Sequence, residues 1–219
     1  MLRPFPMPSR VTENLHKFRT SAPGSLYFVT CCTAERHVGL ADAGLRSLLH
    51  QVFTGFARSG DADTIAATVM PEHIHWLFEL GARLSLGRVL ARFKAETRAE
   101  LSERELVWQR DFFEHRLRPA EGIEDYGLYI FLNPYRAALL DSTETWAGWY
   151  CPKPGCFNFT GLLQTNGTPP PEWIGLPVPG TLASASEGRS KTAPLQRRAG
   201  RDSTQPAPPR VPVQLSPGS

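Results

Sequence analysis

The stretch Asp63-Thr-Ile-Ala-Ala-Thr-Val69, Met70-Pro-Glu72, His73-Ile-His-Trp-Leu-Phe-Glu-Leu80 decides the fold. Two runs rich in β-branched and aromatic residues flank a three-residue break, which reads as two strands joined by a tight connection. Residues two apart on a strand leave the same face. His73 and His75 therefore point together, while Ile74 faces the other way, into the core. Two imidazoles side by side are a natural pair of metal ligands, and equally two strand-edge histidines satisfied by ordinary hydrogen bonds.

Upstream, Ser25–Thr33 (SLYFVTCCT) follows Pro23-Gly24 and reads as a central strand. Ala41–Ala57 carries apolar residues at helical spacing, among them Leu45, Leu49, Val52 and Phe56, with Gly60 just past its end. Downstream, Ser85–Glu103 repeats that pattern with Leu86, Val89, Leu90, Phe93 and Leu101. Glu105–Arg118 looks extended, and Ala120–Leu140 is a third helical segment interrupted by Pro134. The order β-α-β-β-α-β-α predicts an α+β fold of the ferredoxin-like, split βαβ kind: an antiparallel sheet with helices on one face.

The chain has 219 residues and 41% hydrophobic content, enough for one domain with a real core plus a tail. Its +3 formal charge sits in the tail: six basic against three acidic residues follow Gly167, so the first 166 residues are formally neutral. We expect an N-terminal basic segment over 1–22, a catalytic domain over 23–160, and a Pro/Gly/Ser-rich basic tail over 161–219 that is disordered. No signal peptide or membrane-spanning run is apparent, which points to the cytoplasm. Vicinal Cys31–Cys32 read as small core residues; Cys151 and Cys156 have a zinc-knuckle spacer but no second Cys/His pair behind them.

Asp125-Tyr-Gly-Leu-Tyr-Ile-Phe-Leu-Asn-Pro134 places Tyr129 and Asn133 four residues apart, about 40° around a helix axis and about 6 Å along it. A phenol and an amide thus share one helix face. Pro134 sets that geometry against a helix end or kink at Asn133. The bland alternative packs Tyr129 in the core beside Ile130.

These residues reach a known family. The sequence resembles the REP-associated tyrosine transposases, relatives of the single-tyrosine HUH transposases of IS200-like insertion sequences. The matching segments are Pro23–Thr30, Met70–His75, Val107–His115 and Tyr129–Ala137, which together span about residues 15–150. The resemblance implies an HUH endonuclease fold, with His73, His75 and Asn133 as ligands of Mg²⁺ or Mn²⁺ and Tyr129 as nucleophile. It implies cleavage of single-stranded DNA near REP-type hairpins through a 5′-phosphotyrosine link, rejoining by a 3′-OH without ATP, and action as a monomer on the bacterial nucleoid.

DNA-binding candidates are Arg88, Arg92 and Lys94, which leave the apolar stripe of the second helix; Arg116 and Arg118 after Glu114-His115; and Arg19, which matches the basic segment relatives use near the DNA tag. A solvated helix face would explain the first three as well. Trp76 departs from the aliphatic residue that relatives carry after the second histidine. Two other readings remain: a domesticated hairpin-binding protein without cleavage, and a metal-dependent hydrolase using water.

Overall fold

The structure, a computed structural model, describes residues 21–178. Arg19 and the cluster Arg197-Arg198-Ala-Gly-Arg201 lie outside the described residues. Strands β1 (Leu26–Cys32), β2 (Ala62–Val69), β3 (His73–Leu80), β4 (Phe113–Arg116) and β5 (Trp149–Tyr150) alternate with helices α1 (Ala43–Ser59), α2 (Leu86–Ser102) and α3 (Ile123–Arg136). The sheet is antiparallel throughout, in the order β4-β1-β3-β2-β5. Its first four strands have the ferredoxin-like arrangement.

The helices start and stop where side chains satisfy their free backbone groups. Asp42 caps α1 by accepting from the backbone N–H of Gly44 at 3.0 Å and Leu45 at 3.3 Å, and Gly60 closes it with φ of 68°. Ser85 caps α2. The extended look of Glu105–Arg118 survives as a strand only over β4; before it, Trp108 makes an isolated bridge with Thr33.

Strand alternation divides the core in two. Tyr27, Val29, Ile74, Trp76 and Phe78 face α1 and α2, while Phe28 and Leu77 face α3. The two helices of the split βαβ pattern share a face, as expected. The third covers the opposite face, which would otherwise leave Phe28 and Leu77 in water. Cys31 is fully buried in the first cluster, and burial pushes its thiol up to about 12.

The packed chain runs past residue 160. β5 pairs with β2, Phe157 and Phe159 are buried against α3, and Leu163, Trp173, Ile174 and Val178 pack on the same cluster. Glu124 on α3 accepts from the backbone N–H groups of Asn158 at 2.9 Å and Phe159 at 2.7 Å. A few large apolar residues in a Pro- and Gly-rich segment are enough to dock it, because the exposed flank of α3 offers them a partner surface.

Gly127 shows how close that docking is. A Cβ there would land inside the Phe157 ring. Alanine normally helps a helix interior by roughly 1 kcal/mol, but Gly127→Ala is expected to destabilise by about 1–3 kcal/mol through overpacking. A melting temperature at or above that of the parent would refute this contact. No helix among the described residues is long and apolar enough to cross a membrane.

Candidate active site

β3 presents His73 and His75 on the α3 side of the sheet, as the two-residue spacing requires. Their Nε2 atoms stand 3.1 Å apart. Each ring is held from behind. The Nδ1 of His73 is 2.9 Å from Glu72 Oε1, and the Nδ1 of His75 is 2.9 Å from Thr30 Oγ1 on the neighbouring strand. Phe28 stacks on the His75 ring at 5.4 Å and 24°.

These second partners settle much of the chemistry. Glu72 is held below the usual carboxylate range, first by its hydrogen bond with His73, so it is ionised and can only accept. His73 must therefore donate through Nδ1, which leaves its Nε2 facing His75. Burial holds His75 well below the usual histidine range, with the His73 and Arg36 charges acting in the same sense. The Thr30 hydroxyl can donate or accept. When it donates, His75 Nε2–H closes a hydrogen bond onto His73. When it accepts, His75 Nε2 carries a lone pair toward His73 Nε2, open to the Asn133 amide N–H, to a shared proton or to a cation.

α3 lies across this pair. The Tyr129 ring is 5.3 Å from the His75 ring, and the Asn133 amide is 3.2 Å from His75 Nε2. The helix does not stop at Asn133: it runs through Pro134 to Arg136. The proline sits in the last turn, where its missing N–H costs a single hydrogen bond. An amide flip would place the Asn133 oxygen toward His75 Nε2. The Tyr129 hydroxyl is buried and makes no hydrogen bond of ordinary geometry among the described residues. Burial pushes its phenol up, while the Asn133 side chain and Arg136 pull the other way.

Among the described residues no three His, Cys, Asp or Glu side chains gather as a metal site. Any cation here would hold two imidazole nitrogens and one amide oxygen. The residues fit that group: two pre-oriented imidazoles, an amide within reach and an orphaned phenol converge on one spot.

The basic candidates fare differently. Arg88, Arg92 and Lys94 sit on α2, across the sheet from the histidines. Arg92 is paired with Asp61 at 2.5 Å and Glu96 at 2.6 Å. Lys94 donates to the carbonyls of Gln109 at 2.7 Å and Arg110 at 3.1 Å. Both side chains are engaged within the chain, whatever part they have toward phosphate. Arg88 is exposed. Arg116 and Arg118 are also exposed and line a cleft of about 490 Å³ with Glu121, which His115 contacts at 2.9 Å. Trp108 is core, its indole N–H donated to Thr97 Oγ1 at 2.8 Å. Sequence reading missed Thr30, whose role depends on the Thr30–His75 register of two distant strands. It quoted Glu72 inside the motif and assigned it nothing.

Residues 23–117 match the sequence profile of the family described as "Transposase IS200 like". A curated Haemophilus influenzae protein, provisionally named a REP-associated tyrosine transposase, is 22% identical over 145 residues, 58% of this chain and 80% of its own. A solved structure of a REP-associated tyrosine transposase bound to a REP hairpin superposes with a TM-score of 0.52 at 20% identity, covering 60% of this chain and 79% of that one. That likeness shows the shared fold. Tyr129 and Asn133 lie beyond the matched 23–117 stretch.

Proposed function

We propose that this chain, which carries an IS200-like transposase domain over residues 23–117, nicks and rejoins single-stranded DNA beside a hairpin, with Tyr129 as nucleophile. One observation carries this reading. The buried Tyr129 hydroxyl, with no hydrogen bond of ordinary geometry among the described residues, shares its helix face with Asn133, whose amide stands 3.2 Å from the Nε2 of a paired histidine. An orphaned polar group inside a core costs free energy, and is accounted for when its partner is the substrate.

His73, His75 and Asn133 would hold the cation. Of Mg²⁺ and Mn²⁺, the latter tolerates two nitrogen ligands better. When bound, the cation supplies charge neutralisation at the scissile phosphate and a lower phenol pKa. The chain's own residues do the rest. Glu72 and Thr30 hold the imidazoles in register, so that no reorganisation is needed when DNA arrives. The Tyr129 oxygen loses its proton and attacks phosphorus. The bond from phosphorus to the 3′ oxygen breaks, leaving a free 3′-OH and a 5′-phosphotyrosine. An incoming 3′-OH reverses the step and restores the phenol, so the bond energy is kept without ATP. Hairpin DNA is the proposed partner because the solved relative holds a REP hairpin.

The test is a labelled hairpin with single-stranded flanks, incubated with the full chain and Mn²⁺. An SDS-resistant protein–DNA band that chelator prevents is the expected result. Absence of a band across a library of flanking sequences would sink the cleavage reading. Nicked DNA without a band would replace the tyrosine by water.

A further inference from the structure

A second cavity lies away from the histidines, between the C-terminal half of α2 and the segment 105–112 that leads into β4. Its volume is about 380 Å³, within the roughly 300–1,000 Å³ usual for small-ligand sites. Aliphatic side chains form its wall: Leu101 and Leu106, with Val107 at the mouth, 63% exposed. Arg98 and Arg110 stand on the rim, and no acidic residue lines it.

Three features distinguish this cavity from an ordinary surface dent. The first is rigidity. Lys94 gathers the carbonyls of Gln109, Arg110 and Asp111 and lies over the Phe112 ring, while Trp108 is pinned to Thr97. The wall is therefore formed before any ligand arrives. The second is charge. Arg92 and Arg104 are neutralised by carboxylates at 2.5–3.1 Å. Among the described residues Arg98 and Arg110 have no such partner, so uncompensated cations remain at this cavity.

The third is position. Ala34 N donates to Val107 O at 2.7 Å and Gln109 N to Cys32 O at 2.8 Å, so the wall runs beside the end of β1. Cys32 is in turn the register partner of His73 on β3. Two strand spacings, about 10 Å, separate the wall from the histidine strand.

An apolar slot with free guanidinium groups on its rim suits a flat, weakly polar ring attached to a phosphodiester. We infer that this cavity takes one unpaired base of the single-stranded DNA flanking the cleavage point, with Arg98 and Arg110 on its phosphates. The inference rests on the proposed function, since it needs a single-stranded flank that passes the histidines and rounds the β4 edge. Bound this way, the flank would be held in register with Tyr129 by a contact outside the cleavage site.

The experiment uses the full chain and hairpins with a fluorescent single-stranded flank, and reads binding by anisotropy without metal. An abasic site is walked along the flank one position at a time. With the parent protein, one position is expected to lose about fivefold or more in affinity. Val107→Glu, which puts a carboxylate at the exposed mouth, should weaken the intact flank to a similar extent and erase the dependence on that position. Arg98→Ala with Arg110→Ala should lower the slope of log affinity against log salt by about 1–2. Equal affinity for every abasic flank, or parent-like binding by both variants, overturns the inference.

All these positions are solvent-facing or on the rim, and a parent-like melting curve for each variant checks the fold. Covalent band formation, read separately with Mn²⁺, keeps the two proposals apart. A band without abasic dependence removes the pocket and leaves the nuclease, while abasic dependence without a band does the reverse.

Discussion

Tyr129→Phe is expected to abolish the covalent DNA band while leaving the protein at least as stable as its parent. The two halves of this result have different physical origins. Without the hydroxyl there is no nucleophile. Single removals of an attacking group cost orders of magnitude, so band formation should fall by at least about a thousandfold. The same hydroxyl does no structural work. It is buried, it has no hydrogen-bond partner of ordinary geometry among the described residues, and burial disfavours its ionised form. Removing it relieves a desolvation cost, and the melting temperature should hold or rise by a degree or two, for a gain of roughly 0–1 kcal/mol.

Neighbouring tyrosines provide the controls. Tyr126 donates to Glu121 Oε1 at 3.3 Å and Tyr135 to the Glu144 carbonyl at 2.8 Å, both away from the histidine pair. Their phenylalanine variants should keep the band. A Tyr129→Phe protein that still forms it would move the nucleophile elsewhere. One that unfolds would make Tyr129 a core residue.

Trp76→Ala should produce the largest loss of stability. The residue that departs from the aliphatic pattern after the second histidine is fully buried. Its ring lies 4.2 Å from Phe78, 5.0 Å from Phe53, 5.5 Å from Phe93 and 5.6 Å from Phe56. Its indole N–H is donated to Thr64 Oγ1 at 2.9 Å, inside the core. Truncation to alanine costs about 3–5 kcal/mol for the cavity alone, and leaves a buried hydroxyl short of its donor for about 1 kcal/mol more. Against a total stability of roughly 5–15 kcal/mol, that is a drop in melting temperature of roughly 8–24 °C, followed by thermal denaturation. Trp76→Phe keeps most of the volume and should lose less than half as much. A shift under 2 °C for the alanine variant would mean that α1 and α2 do not pack on β3 as described. Trp76 points away from the histidines, so residual folded protein should keep its active-site geometry.

The fold was legible wherever a local period carried it. Alternation over His73–Leu80 became β3 at the same bounds, and the apolar stripes over Ala41–Ala57 and Ser85–Glu103 became α1 and α2 within two residues. The histidine pair and the Tyr129–Asn133 helix face followed from the same two periods, 2 and 3.6. β5 was not legible, because a two-residue strand has no period and exists only through its pairing with Ala67 and Thr68. Nor was the docking of 161–178, a segment whose composition is that of a tail and whose order comes from the flank of α3.

The basic residues make the same distinction at the level of single side chains. Arg88, Arg92, Lys94 and Arg98 look alike in the sequence. Tertiary structure binds Arg92 to Asp61 and Lys94 to three carbonyls, and leaves Arg98 beside a cavity. By itself the sequence determined which side chains share a face: His73 with His75, and Tyr129 with Asn133. Only the tertiary structure decided that the two faces meet, that Thr30 stands behind the His75 imidazole, and that the phenol is buried with no hydrogen bond of ordinary geometry among the described residues. The reason is range. Facing is set by backbone geometry within a few residues, whereas meeting depends on strand register and helix packing between residues 45 to 58 positions apart.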